Sequence, residues 1–156
     1  MNYIVFDLEW NQSAEGKECS VEHMPFEIIE IGAVKLNSQM KQVSEFHRLV
    51  QPKAYKEMHF KISEVTHMDM EELCKKGQPF PVVMEDFLNW CGEDEYVFCT
   101  WGSMDLTELQ RNMTYHVWKY RFQGPYCIMM YRSCILWSIL MERAVFPWTM
   151  QWNSLN

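Results

Sequence analysis

Tyr3-Ile4-Val5-Phe6-Asp7-Leu8-Glu9-Trp10 is an apolar run, rich in β-formers, that ends in two carboxylates one residue apart. The run predicts a strand. Because side chains alternate along a strand, Ile4 and Phe6 face one side while Tyr3, Val5, Asp7 and Glu9 face the other. Alternate Cα atoms of a strand lie about 6.6 Å apart, a spacing that lets two carboxylates reach around a shared divalent cation. A bare Asp-x-Glu more often closes a solvated edge strand. Here the pair stands where a buried-looking strand ends, and charge there is expensive unless it is paired or holds a metal.

The rest of the composition narrows the class. A chain of 156 residues with 48% apolar content fits one globular domain with a real core. A net charge of −7 and a pI near 5.2 argue against holding nucleic acid on a basic face, although bound cations can supply that charge for phosphodiester chemistry. Six cysteines form no Cys-x-x-Cys pair and no signal peptide precedes the first strand, so reduced thiols and a cytoplasmic location are expected. The five histidines lack metal-ligand spacing, which predicts surface or core residues and no zinc site.

Along the chain, Asn11 to Pro25 is polar and reads as a surface loop beside the Asp7 and Glu9 end. Phe26 to Leu36 and Val43 to Val50 alternate as two further strands, so the first three strands predict an antiparallel meander. Ile62 to Thr66 and Met70 to Lys75 read as short helical turns, and Val82 to Cys91 as a helix ended by Gly92. Glu95 to Trp101 returns to β character. A helix then starts from Ser103 as its N-cap, with Leu106, Leu109, Gln110 and Met113 on one face and Asp105 in the first turn. Asp105 by itself also admits the reading of an acid favoured by the helix dipole. If the fourth strand lies parallel to the first, Asp7 and Asp105 share the carboxyl ends of the sheet, where ligands gather.

Phe6-Asp7-Leu8-Glu9-Trp10, the Glu27 to Val34 strand, the surroundings of Thr66, and Trp101-Gly102-Ser103-Met104-Asp105-Leu106 stand in an order and spacing that resemble a DEDDh-type 3′-to-5′ exonuclease. The resemblance covers roughly Met1 to Pro125 and points to the branch that trims histone mRNA and small RNAs. It implies an α/β, ribonuclease H-like mixed sheet in which a three-stranded meander gains a parallel strand. It also implies two divalent cations, Mg²⁺ or Mn²⁺, about 3.5 to 4 Å apart, acting on single-stranded RNA or DNA with a 3′ end. Asp7 would bridge both cations, with Glu9 and Asp105 holding one each. Trp10, Asn11 and Gln12 would border the terminal nucleotide, Trp10 by stacking or by packing. A rival on the same fold is a hydrolase of small phosphate esters, and a rival of another class is a non-catalytic binding remnant.

The late part of that pattern, a general-base histidine and a fourth metal-binding aspartate, has no counterpart. His116 is the last histidine, it closes the Asp105 helix, and no suitably spaced aspartate follows. Residues 126–156 are also odd in composition, crowded with Trp and Met and charged only at Arg132, Glu142 and Arg143. The largely apolar run from Cys134 to Met141, with Ser138 inside it, falls far short of the roughly 20 residues of a membrane span. Single-codon residues suggest another origin. Read one nucleotide earlier, Ile128-Met129-Met130-Tyr131 forces Asp then Val, Met141-Glu142-Arg143 forces Gly, and Trp148 to Asn153 forces Asp, Ala and Glu. The expectation is therefore an incomplete exonuclease domain over residues 1–125, an out-of-frame tail over 126–156, an open sheet edge beside the fourth strand, and impaired activity. The coding DNA around Gly124 to Cys127 checks this: a single-base restoration should open a frame that supplies a His and, shortly after, an Asp. A stop codon before any such motif overturns it.

Overall fold

The structure is a computed structural model, described here for residues 1–117 and for the backbone of 126–129. β1 (Asn2–Asn11), β2 (Glu27–Leu36) and β3 (Gln42–Leu49) form the expected antiparallel meander. β4 (Tyr96–Trp101) joins β1 in parallel, completing the α/β, ribonuclease H-like mixed sheet that the sequence predicts. Among the described residues four α-helices flank it: α1 (Phe60–Thr66), α2 (Met70–Lys76), α3 (Phe80–Cys91) and α4 (Met104–Tyr115). Among the described residues no helix is long and apolar enough to cross a membrane.

One expectation is corrected at the sheet edge. β4 is not left open, because β5 (Tyr126–Met129) pairs with it in parallel and gives the order β3-β2-β1-β4-β5. Ladder bonds are made by the backbone, so a segment needs only β-tolerant residues to close an edge, and Tyr126-Cys127-Ile128-Met129 is one. The expectations for 130–156 lie outside the described residues.

Strand alternation sorts the core into two faces. Ile4, Phe6 and Leu8 pack with Ile28, Ile31, Phe46 and Phe98 beneath Val83, Met84 and Phe87 of α3 and Leu109 and Met113 of α4. Ring edges and faces fill this layer, with Phe6 5.5 Å from Phe98 and 5.9 Å from Phe87, and Phe46 5.3 Å from Phe87 between centroids. Val5, Val34, Leu36 and Cys99 make a separate cluster on the opposite face. Helix ends follow their own chemistry. Asp69 Oδ1 accepts the Glu72 N–H to cap α2 at 2.7 Å, and Gly92 ends α3 at a φ of 75°. Ser103 precedes α4 as expected, but its hydroxyl makes no capping bond.

Buried polar side chains tie the loops to the sheet. The Glu27 carboxylate, 1% exposed, accepts the backbone N–H groups of Lys53, Ala54 and Tyr55 at 2.6, 2.8 and 2.9 Å. Asn112 of α4 accepts the Ile28 N–H at 3.0 Å and donates to the Phe26 carbonyl at 2.8 Å. Gly77, after α2, leaves no room for a Cβ, which would meet the backbone of Leu73, Gln51 and Val50 at 2.5 to 2.8 Å. Replacing the Glu27 acceptor leaves three backbone donors unsatisfied, so Glu27→Ala should destabilise the domain by about 3 kcal/mol or more, read from urea midpoints.

Candidate active site

β4 accompanies β1 only over Asn2 to Val5, so the last residues of β1 run on with one flank unpaired. α4 begins in that gap. The Leu8 N–H donates to Asp105 Oδ1 at 3.3 Å, a buried contact between residues far apart in sequence. It brings Asp105, 4% exposed in the first turn of α4, against the segment that carries Asp7 and Glu9. The neighbouring strand adds a fourth acid. Glu30 lies directly across from Glu9, Gly32 lies across from Asp7, and a register shift follows between Glu9 and Trp10. His47 of β3 stands across from Gly32 and contacts the Glu30 carboxylate.

These acids raise one another's proton affinity. Burial first, and then the Glu30 charge, push Asp7 to about 6. Burial followed by Asp7, Glu30 and Asp105 push Glu9 to about 8. Burial and then Asp7 push Asp105 to about 7, against the lowering effect of the backbone N–H groups that it accepts. Among the described residues no three His, Cys, Asp or Glu side chains stand as a formed ion site, so gathering the acids around a cation takes side-chain rotation. The donor set nevertheless fits: it is all carboxylate oxygen, hard in character, and short of positive charge.

Of the three residues after Glu9, Trp10 takes the packing alternative and Asn11 departs from expectation. Trp10 packs on the main core and lies 5.7 Å from Phe26, so its ring serves packing. Asn11 is fully buried, donating to the Glu57 carbonyl at 2.9 Å and accepting the His59 N–H at 3.0 Å, which fixes the entry to α1 and leaves no amide atom for a nucleotide. Gln12 follows, half-buried. His116 lies at the far end of α4, stacked on Phe80 at 4.7 Å, and burial and then Lys53 lower it to about 4. Glu30 and His47 are the residues that the sequence reading missed. Pairing the meander strands on paper with Glu9 opposite Glu30 would have put both on the acid face.

The shifts carry a sign that can be measured. Each acid holds its proton more tightly folded than unfolded, so this part of stability is complete below the ordinary carboxylate range and is lost as pH rises through about 6, 7 and 8. His116 acts in the opposite direction below the ordinary histidine value, so the informative quantity is a difference. Without divalent cations the urea midpoint of the parent should fall relative to that of an Asp7→Asn, Glu9→Gln, Asp105→Asn variant as pH rises from about 5 to about 8. Parallel curves would remove the electrostatic coupling.

The sequence of residues 4–131 matches the RNase_T family, described as Exonuclease. No curated protein matches. Among solved structures, the nuclease domain of 3′hExo, a DEDDh family member bound to rAMP, is 21% identical with a TM-score of 0.64 over 77% of this chain and 62% of that one. Cell-death related nuclease 4 is 21% identical with a TM-score of 0.59 over 72% and 39% of the two chains. Exonuclease I of E. coli, in complex with a dA16 oligonucleotide, is 9% identical with a TM-score of 0.63 over 81% and 28%. The chain thus spans less than two thirds of the length of each, and at these identities the likeness is one of fold. With the family match spanning most of the sequence and the same fold beneath it, the chain belongs to the RNase_T exonuclease family.

Proposed function

We propose that this domain is built to remove nucleotides from the 3′ end of single-stranded RNA or DNA by metal-assisted hydrolysis, and that the present chain does so weakly. The observation that carries this reading is the Leu8 to Asp105 hydrogen bond, which joins the third acid to the Asp7 and Glu9 strand end. Asp7, Glu9 and Asp105 would hold two cations, Mg²⁺ or Mn²⁺, giving up their protons as they do so. Bound divalent cations supply Lewis acidity at the scissile phosphate and at the leaving oxygen. The protein's own part is to fix the acids on rigid elements and to guide the strand. Phe60, 66% exposed, stacks on His59 at 4.9 Å, with Lys61 5.9 Å from the Phe60 ring, at the helix that Asn11 ties to the end of β1. An exposed aromatic beside a cation suits a passing base and its phosphate.

Impairment follows from the missing base. His116 is spent on Phe80, and His47 is bound to Glu30 on β3, two strand spacings or roughly 9.5 Å from β1. General-base catalysis contributes roughly 10²- to 10⁴-fold, so turnover should fall short of a complete relative by about that factor. A remnant that binds without cutting is the reading favoured if the shortfall is total. Single-turnover digestion of a labelled oligonucleotide in Mn²⁺ should release mononucleotides slowly from the 3′ end. Asp7→Asn should abolish both the release and the calorimetric Mn²⁺ binding, and Phe60→Ala should raise KM more than it lowers kcat. A full-strength rate that His47→Gln destroys would make that histidine the base after all.

A further inference from the structure

Glu9 has carboxylates on both flanks, and the sheet register decides which of them lies nearer. On the β2 side Glu30 stands directly across from it, and Ile29 is passed over before Trp10 meets Ile28. Such an extra residue kinks a strand and re-aims the side chains beside it. Directly opposed residues of an antiparallel pair share a face, with Cβ atoms about 5 Å apart. Asp7 stands about 6.6 Å away along β1, and Asp105 reaches in from α4 on the flank that β4 leaves after Val5. Glu9 accordingly feels the charges of Asp7, Glu30 and Asp105. By spacing alone Glu30 is the readiest partner for Glu9 around a cation, and a cation held by that pair would be drawn away from Asp105.

His47 opposes that pairing. It lies directly across from Gly32, which lies directly across from Asp7, so Asp7, Gly32 and His47 form one row on the acid face. Gly32 adds no side chain to the row. The diagonal from position 47 to Glu30, two residues back along β2, is within reach of an aromatic side chain, and His47 Nε2 does contact Glu30 Oε1. We infer that His47 is a positioning residue: its contact holds Glu30 on the β3 side and so leaves Glu9 to gather with Asp7 and Asp105. The inference rests on the reading that these acids hold divalent cations. An N–H donated to a carboxylate makes a charge-assisted hydrogen bond, roughly twice as strong as a neutral one, and it engages an oxygen otherwise open to the cation. Glu30 thus adds negative charge to the site without entering the ligand set. A purely structural cross-strand pair would stabilise β2 and β3 and leave the choice of ligands alone.

Mn²⁺ calorimetry on the full chain, arranged as a double-mutant cycle, separates the two roles. Glu30→Gln should cost at least about tenfold more Mn²⁺ affinity in a His47→Ala background than in the parent, because the released carboxylate joins the cation there. Asp105→Asn should cost correspondingly less in that background. His47→Gln, whose amide can still donate to Glu30, should restore the parent pattern. Equal costs of Glu30→Gln in the two backgrounds overturn the inference. So does a parent in which Glu30→Gln costs as much as Asp105→Asn, which makes Glu30 a ligand already. A parent that binds no Mn²⁺, or binds it regardless of Asp7→Asn, removes the underlying cation reading and the inference with it, so the two failures are told apart at Asp7. If His47→Ala unfolds, the parent decides by ¹⁵N NMR of the imidazole. Saturating Mg²⁺ should leave the His47 Nε2 signal apart from its position in Glu30→Gln, and a move to that position shows Glu30 leaving for the cation and overturns the inference.

Discussion

The short pairing of β4 with β1 is the constraint on which the candidate site depends. β2 follows β1 along its whole length, while β4 leaves it after Val5. A buried N–H that loses its ladder partner must find another acceptor. For Leu8 that acceptor is the Asp105 carboxylate, so the bond that meets this backbone requirement also brings Asp105 to the end of β1 that carries Asp7 and Glu9. Had β4 continued beside β1, the ladder would have taken the Leu8 N–H and α4 would have had to start farther along. The third acid would then stand away from the first two.

Carboxylates gathered in this way oppose folding, and the surrounding structure must hold them. The work falls to buried polar side chains with nearly every atom engaged. Glu27 gathers three consecutive backbone N–H groups of the loop after β3, Asn11 clamps the entry to α1, and Asn112 locks α4 to the start of β2. All three are at most 1% exposed, so each replaces water with fixed dipoles and leaves little slack. Together they fix the ends of β1, β2 and α4, the elements that carry Asp7, Glu9, Glu30 and Asp105. Glu30 contacts the imidazole of His47 and Asp105 accepts the Leu8 N–H, so two of these acids have a partner besides one another.

Much of this was legible in the sequence, and the failures have physical reasons. The alternation of Tyr3 to Trp10 gave the two faces correctly, since Ile4 and Phe6 enter one core and Val5 the other. The helix carrying Asp105 and the meander were equally plain, because period and turn signals are local. Glu30 and His47 were missed because their meaning depends on strand register, which a single strand does not reveal. Asn11 was misjudged for a related reason. A polar residue after a motif reads as accessible, yet the demand of the Glu57 and His59 backbone for partners turns it inward. β5 escaped notice because edge closure is a backbone matter on which side-chain composition is nearly silent.

The face that bears the acids must satisfy two opposed demands within a short distance. Its near half, Val5 with Val34, Leu36 and Cys99, has to be sealed from water, since an uncovered stripe of that kind drives association. On the function proposed above, its far half has to stay open, since a nucleic acid end and its cations would have to reach Asp7 and Glu9. Val5 and Asp7 are neighbours on that face, about 6.6 Å apart along the strand, so the transition from sealed to open occupies a single pleat repeat. Such sharpness makes the acid end sensitive to whatever seals the near half: a cover one pleat longer would bury Asp7, and one pleat shorter would wet the core beneath Tyr3 and Trp101. A carboxylate at that border, already raised to about 6 while still in contact with solvent, would be raised further by any extension of the cover. A change in what seals the near half would therefore be felt in the proton affinity of Asp7 as well as in the stability of the sheet.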